Sequence, residues 1–125
     1  NHAALTDGLR SLGLDEHFVL PRATPGTEPS WFGCLLTLRD GSPIQRRALI
    51  EFLSARRIGT RFLFGGNLIR QPAFQGVEHR VVGGLERTDK LMRDAFRIGV
   101  WPGLGQPHVD YLVAALADAR KEFVR

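Results

Sequence analysis

The chain has 125 residues and a mass of 13.9 kDa, which is the size of one domain. Hydrophobic residues make up 43% and charged residues 24%, so the composition excludes a wholly disordered chain. No apolar run reaches the roughly 18 residues of a membrane span, and no secretory signal is present at the start. A single cysteine, Cys34, excludes an internal disulfide and a multi-cysteine metal cage. We therefore expect a cytoplasmic protein without a membrane partner.

The charge balance is basic, with a net charge of 17 − 13 = +4 and a pI near 10.2. This balance is compatible with nucleic acid or another phosphate ligand, and equally with a merely basic surface. The basic residues come as pairs, Arg46–Arg47 and Arg56–Arg57, without the interleaved aromatic residues that a stacking platform needs. Charge alone therefore selects no partner, and we expect no nucleic acid.

The first half of the chain predicts two helices and two strands. In chain order these are helix His2–Leu12 stopped by Gly13, loop Pro21–Ser30, strand Trp31–Leu38, a second helix, and strand Thr60–Phe64. A capping box predicts the start of the second helix, with Ser42 as N-cap, Pro43 in the first turn and Gln45 closing the box. Gly59 is predicted to end it.

The second half predicts a long irregular segment followed by two more helices and one more strand. The predicted elements are the loop Leu68–Leu85, a helix capped by Thr88 that carries Leu91 to Phe96, strand Arg97–Trp101, and a last helix opened by Pro107. The resulting order, α-β-α-β-loop-α-β-α, predicts an α+β fold of about three strands packed against four helices.

We find no self-contained active site in the sequence, and we assign no catalytic residue and no metal site. The four histidines lack metal-ligand spacing, and no serine lies in a nucleophile elbow. Cys34 lies in an apolar strand, where a buried, inert thiol is expected. Lys90 and Lys121 are predicted on the solvated faces of amphipathic helices, away from any Schiff-base position.

The exception is the stretch Arg61–Phe74, which combines a strand arginine with a glycine-rich loop. Arg61 is predicted as a charge inside a strand, which is costly unless it is paired or faces a ligand. Asn67, Arg70 and Gln71 add amide and guanidinium donors suited to phosphate or carboxylate. These residue types suit a site for a phosphate or carboxylate group; a structural loop with surface arginines is the alternative, which the sequence supports equally well.

Five segments in order resemble the DegT/DnrJ/EryC1/StrS sugar aminotransferase family, and within it the CDP-4-keto-6-deoxyglucose 3-dehydrase branch of lipopolysaccharide dideoxysugar enzymes. The segments are Glu28–Gly33, Thr60–Leu68, Arg70–Pro72, Thr88–Asp89 and Ile98–Leu104. The resemblance implies the small C-terminal domain of a fold-type-I enzyme that uses pyridoxal or pyridoxamine phosphate (PLP or PMP). Residues 1–13 would be a linking helix from a large domain, and residues 31–125 an α/β layer.

The same resemblance implies a function for the longer protein. It would remove the C3 hydroxyl of a nucleotide sugar, as a homodimer, with Arg61–Pro72 at the mouth of the active site. In that position Arg61, Asn67, Arg70 and Gln71 would bind the substrate. The cofactor-binding large domain is not in this sequence, so the chain alone is expected to bind no cofactor and to be inactive. The missing initiator methionine also favours a fragment. A nucleotide-sugar aminotransferase fragment, a basic phosphate- or nucleic-acid-binding module and a scaffold protein remain alternatives.

Overall fold

A computed structural model describes residues 1–124, which form four helices and four strands. The helices are α1 (His2–Ser11), α2 (Arg46–Ala55), α3 (Glu86–Asp94) and α4 (Gln106–Phe123). The strands are β1 (Phe18–Val19), β2 (Cys34–Leu38), β3 (Thr60–Phe62) and β4 (Ala95–Ile98). The predicted α+β fold and the order of its main elements are confirmed, and β1 is an additional strand that the sequence does not predict.

The strands form one antiparallel sheet in the order β1-β2-β4-β3. Because side chains alternate across a sheet, Cys34, Leu36, Phe96 and Ile98 share one face. All four are buried in the hydrophobic core. The pairing of Arg61 with Arg97 places both of these side chains on the opposite face.

Helices α1, α2 and α4 cover the core face of the sheet. Each contributes buried residues at helical spacing, such as Leu5 and Leu9 from α1, Leu49 from α2 and Leu116 from α4. On the sheet, Phe18 and Phe96 meet edge to face, with 6.4 Å between ring centres. The scaffold is therefore an apolar three-helix layer on a short sheet.

The predicted capping box of α2 is wrong. The helix begins at Arg46, so the N-cap is Gln45, and Gln45 makes no side-chain cap bond. Ser42 instead accepts a hydrogen bond from the backbone N–H of Ile44 at 3.3 Å, which closes a short turn before the helix. The Ser42 hydroxyl that a capping box would require is thus already used as the acceptor in this local turn.

The end of α2 also differs from the prediction, because Arg57 and not Gly59 takes the left-handed position, with φ 59°. Its backbone N–H binds the carbonyl of Ser54 at 2.9 Å, and the N–H of Ile58 binds the carbonyl of Leu53 at 3.0 Å. These two bonds form a Schellman motif, and Ile58 is buried beside the helix. Burial of Ile58 offsets the strain of a non-glycine residue at this position.

Several further boundaries lie elsewhere than predicted, among them the end of β3, at Phe62 rather than Phe64. Helix α3 begins at Glu86, so Thr88 lies inside it and is not a cap. Ala95 and Phe96 belong to β4, which ends at Ile98 rather than at Trp101. β2 begins at Cys34, because the preceding Trp31 turns aside and stacks on His2, with ring centres 4.2 Å apart.

Candidate functional site

The chain leaves β3 into a glycine-rich loop, residues 63–75, that contains two short 3-10 turns, Leu68–Arg70 and Pro72–Phe74. Gly66 has φ +61°, which a residue with a side chain rarely adopts. A Cβ atom at this position would lie 2.7 Å from Cγ of Met92 on α3. Glycine therefore lets the loop backbone lie directly against α3.

The carboxylate of Asp89 on α3 binds two of the predicted site residues. Nδ2 of Asn67 donates to Oδ1 at 2.7 Å. The guanidinium of Arg70 binds in a two-pronged manner, Nε to Oδ1 and Nη2 to Oδ2, both at 2.6 Å. Asn67 is buried, with 3% of its surface exposed, whereas Arg70 is exposed. Asp89 therefore fixes the loop to α3 through directional, charge-assisted hydrogen bonds.

These hydrogen bonds shift the pKa values of both Asp89 and Arg70. The hydrogen bonds from Arg70 and then Asn67 stabilise the charged carboxylate and lower the pKa of Asp89 to about 2. The same ion pair raises the pKa of the Arg70 guanidinium. Both groups are therefore charged at neutral pH.

The amide of Gln71 stabilises the loop from inside. Its Nε2 donates to the carbonyl oxygen of Gly65 at 2.6 Å, and Nε2 of Gln75 donates to the carbonyl oxygen of Ile69 at 2.9 Å. These bonds satisfy backbone acceptors that the irregular loop cannot pair in a ladder. Gln71 thus stabilises the conformation of the loop.

Arg61 lies inside strand β3, as predicted, but its charge is not enclosed by the sheet. β3 is the edge strand of the sheet, and Arg61 is exposed on it. Within residues 1–124 its hydrogen bonding is limited to the adjacent Thr60 carbonyl oxygen, at 3.3 Å from Nη1. Three of the four predicted site residues therefore stabilise one loop, and Arg61 stands beside it with its charge unpaired in the described part of the chain.

Both lysines of the chain form ion pairs. The prediction that Lys90 is solvated is wrong, since its Nζ donates to the Leu38 carbonyl oxygen and to the carboxylates of Asp40 and Asp94 at 2.6–3.1 Å. Lys121 pairs with Asp118 along α4 at 2.9 Å. Each ammonium group is engaged in structural contacts.

Other candidate chemistry is absent from the part of the chain that the structure describes. Cys34 is fully buried, as predicted, and burial raises the pKa of its thiol to about 12, so the thiol is protonated at neutral pH. Among residues 1–124 no group of histidine, cysteine and acidic side chains could hold a metal ion. No helix in the same range is long and apolar enough to span a bilayer.

Sequence reasoning misses the roles of Asp89, Arg97 and Phe32. In the sequence, Thr88–Asp89 stands out only as a family segment, because Asn67 and Asp89 are 22 positions apart and no local pattern indicates their contact. The guanidinium of Arg97 lies 4.2 Å from the ring centre of Phe32. The strand register alone would place Arg97 opposite Arg61, if β3 and β4 could be predicted as neighbours.

Comparison with curated proteins gives two relatives. A lipopolysaccharide biosynthesis protein, RfbH of Salmonella typhimurium, is 48% identical over 114 residues, 91% of this chain and 26% of its own length. A dTDP-4-dehydro-2,6-dideoxy-D-glucose 3-dehydratase of Saccharopolyspora spinosa is 42% identical over 119 residues, 94% of this chain and 25% of its own. The chain thus spans about a quarter of the length of both relatives.

Among solved structures, an E. coli GDP-4-keto-6-deoxy-D-mannose-3-dehydratase with bound hydrated PLP superposes with a TM-score of 0.81. The match covers 93% of this chain and 29% of that protein, at 20% sequence identity, so it shows a common fold. A family model for the DegT/DnrJ/EryC1/StrS aminotransferases matches residues 1–117. The chain belongs to the DegT/DnrJ/EryC1/StrS aminotransferase family.

Proposed function

We propose that this chain is the C-terminal domain of a PLP- or PMP-dependent nucleotide-sugar 3-dehydrase. Its substrate is a CDP-4-keto-6-deoxyhexose, and its product feeds dideoxysugar and lipopolysaccharide synthesis. The longer protein is a cytoplasmic homodimer, in which this domain closes over the substrate. The observation that carries the proposal is the 48% identity to a lipopolysaccharide biosynthesis protein over 91% of the chain.

The loop geometry supports a substrate-facing role. Asp89 occupies Nε and Nη2 of Arg70. A guanidinium carries five N–H donors, so three remain directed away from Asp89. Arg70 can therefore stay anchored and still donate to an oxygen of the substrate. Because Asp89 already fixes the loop residues, they lose little conformational entropy when the substrate binds.

Residues 1–124 do not form a site for the cofactor itself. Lys90 and Lys121, its only lysines, are both held in ion pairs. In the proposal, the large domain of the longer protein therefore supplies both the cofactor site and the residue that handles protons there. The contribution of this chain is to bind and orient the sugar nucleotide and to exclude water.

The test is a product assay on the longer enzyme. Purified enzyme with PMP, an electron donor and CDP-4-keto-6-deoxyglucose should give a sugar that has lost its C3 hydroxyl as water. An amino group on the sugar would instead show transamination, and no turnover would overturn the proposal. The 125-residue chain alone should be inactive in the same assay.

Two arginine substitutions test the role of this domain. Arg61→Ala and Arg70→Ala should each raise KM or lower kcat by about tenfold or more, because each removes charged donors from the substrate. Arg80→Ala, an exposed arginine outside the site, is the matched control and should leave both parameters unchanged. Wild-type kinetics in both site variants would remove Arg61 and Arg70 from the substrate contact.

A further inference from the structure

Two arginines face each other on the sheet surface opposite the core. In the antiparallel register Arg61 of β3 pairs with Arg97 of β4. Residues paired in this way have Cα atoms about 4.5–5.5 Å apart and side chains on the same face. The backbone therefore places the two arginine side chains next to each other on one face of the sheet.

Neither charge is compensated within residues 1–124. The structure pairs other surface arginines with carboxylates, Arg47 with Glu51 and Arg93 with Asp94, at 2.8–2.9 Å. Arg61 and Arg97 make no such pair in the described part of the chain. Like charges directly opposite each other on a sheet are destabilising, so the pair favours an external anion between them.

Two aromatic rings frame Arg97. Its guanidinium carbon lies 4.2 Å from the ring centre of Phe32 and 5.1 Å from that of Phe64. The rings are within 12° of parallel, with centres 6.4 Å apart, although their residues are 76% and 77% exposed. These cation–π contacts restrain the guanidinium without using any of its N–H donors.

We propose that Arg61 and Arg97, framed by Phe32 and Phe64, bind the diphosphate of the nucleotide sugar; this assignment rests on the proposed function. A diphosphate offers two adjacent anionic groups, which matches two arginines at adjacent positions on the sheet. Arg70 is less suited, because Asp89 already takes its charge in a bidentate pair. Recognition through the diphosphate does not read the base, so it serves any nucleoside diphosphate sugar.

Binding to the 125-residue chain tests the site directly. The probes are CDP, inorganic pyrophosphate and cytidine, followed by amide chemical shifts in NMR. CDP and pyrophosphate should shift the amides of β3 and β4 in a saturable way, and cytidine should not. Added salt should weaken binding, because the contact is ionic. Chemical-shift changes confined to elements other than β3 and β4, or equal changes with cytidine, would refute the proposed diphosphate site.

The decisive variants are Arg97→Gln and Arg61→Gln. Each should weaken CDP binding by about tenfold, because each removes a charged hydrogen-bonding partner. Arg97→Lys keeps the positive charge but loses the planar guanidinium, so its affinity for CDP should lie between those of the wild type and Arg97→Gln. Arg80→Gln is the matched control and should bind as wild type does. Wild-type affinity in a folded Arg97→Gln chain, as judged by its amide spectrum, would refute the proposal.

The longer enzyme separates this inference from the proposed function. If it is a 3-dehydrase, Arg97→Gln should raise KM for the sugar nucleotide with little change in kcat, since the diphosphate contact is uniform binding. An active 3-dehydrase with an unchanged KM would refute the diphosphate site alone. A different reaction, with CDP binding still weakened by Arg97→Gln, would refute the proposed function alone.

Discussion

The helix-covered core and the loop of residues 63–75 are held in place by different forces. In the core, buried apolar residues from α1, α2, α4 and the sheet pack into one cluster. The loop carries exposed apolar side chains, among them Phe64, Leu68 and Phe74, and is tied to α3 by Asp89 and by Gly66. The core depends on non-directional burial, whereas the loop depends on a few directional contacts.

This difference predicts how each region responds to change. Loss of apolar contact in the core affects the whole domain, because the cluster is shared by most elements. Loss of one loop contact affects the loop first, because local opening costs less than global unfolding. The scaffold can therefore stay folded while the candidate site is altered, which suits a loop that meets a ligand.

The largest expected effect is in the core. Phe96→Ala removes a fully buried ring that packs against Phe18, and should lower the free energy of unfolding by about 3–5 kcal/mol. Urea denaturation followed by circular dichroism measures this loss. Phe74→Ala, in the exposed loop, is the matched control and should cost less than about 1 kcal/mol. Equal losses in the two variants would contradict the division between core and loop.

A smaller effect is expected at the contact between loop and helix. Gly66→Ala introduces a Cβ at positive φ, where strain costs about 1–2 kcal/mol, and places it 2.7 Å from Cγ of Met92. Gly41→Ala is the control, because its φ is +78° but a Cβ atom at that position would have no neighbour within 4 Å. We expect the unfolding free energy to fall more for Gly66→Ala than for Gly41→Ala.

A double mutant sharpens this prediction. If the clash with Met92 causes the extra loss, Gly66→Ala combined with Met92→Ala should lose less than the sum of the single variants. If the two losses of unfolding free energy add exactly, the loop moves away from α3 and the new Cβ atom does not clash with Met92.

The sequence allows most of the scaffold to be predicted. Helical spacing of Leu5 and Leu9, and of Leu112 and Leu116, locates α1 and α4 because apolar periodicity is a local signal. The two-residue strand β1 escapes prediction, since Phe18–Val19 is too short to show alternation and forms only by pairing with β2. Thr88 has the residue type of a cap, yet α3 has already begun at Glu86.

The candidate site is predictable in composition but not in geometry. Arg61, Asn67, Arg70 and Gln71 stand out by residue type in a glycine-rich stretch. The internal contacts of Asn67 and Arg70 depend on Asp89, whose position relative to the loop is set by tertiary packing of α3. The pairing of Arg61 with Arg97 likewise depends on strand order, because the segment between β3 and β4 gives no sequence signal for it.

The smallest and most local effect is expected at Asp89. Asp89→Asn removes the charge that binds Arg70 and Asn67, so the loop should open more often while the core stays intact. Hydrogen exchange of loop amides should quicken in this variant, and core amides should keep their protection. Asp118→Asn, which breaks a surface pair on α4, is the matched control and should leave loop exchange unchanged.

Acid should reproduce the effect of Asp89→Asn in the wild-type chain. The pKa of Asp89 is about 2 in the folded state, below the roughly 3.9 of an unfolded aspartate. Its contribution is therefore complete above about pH 5 and is lost as pH falls from about 4 through 2. The NMR signal of the Arg70 Nε–H should report this titration with a midpoint near pH 2. A midpoint near 4 would mean that the ion pair between Asp89 and Arg70 does not form in solution, and that the loop is held to α3 without it, through the close approach of Gly66 to Met92.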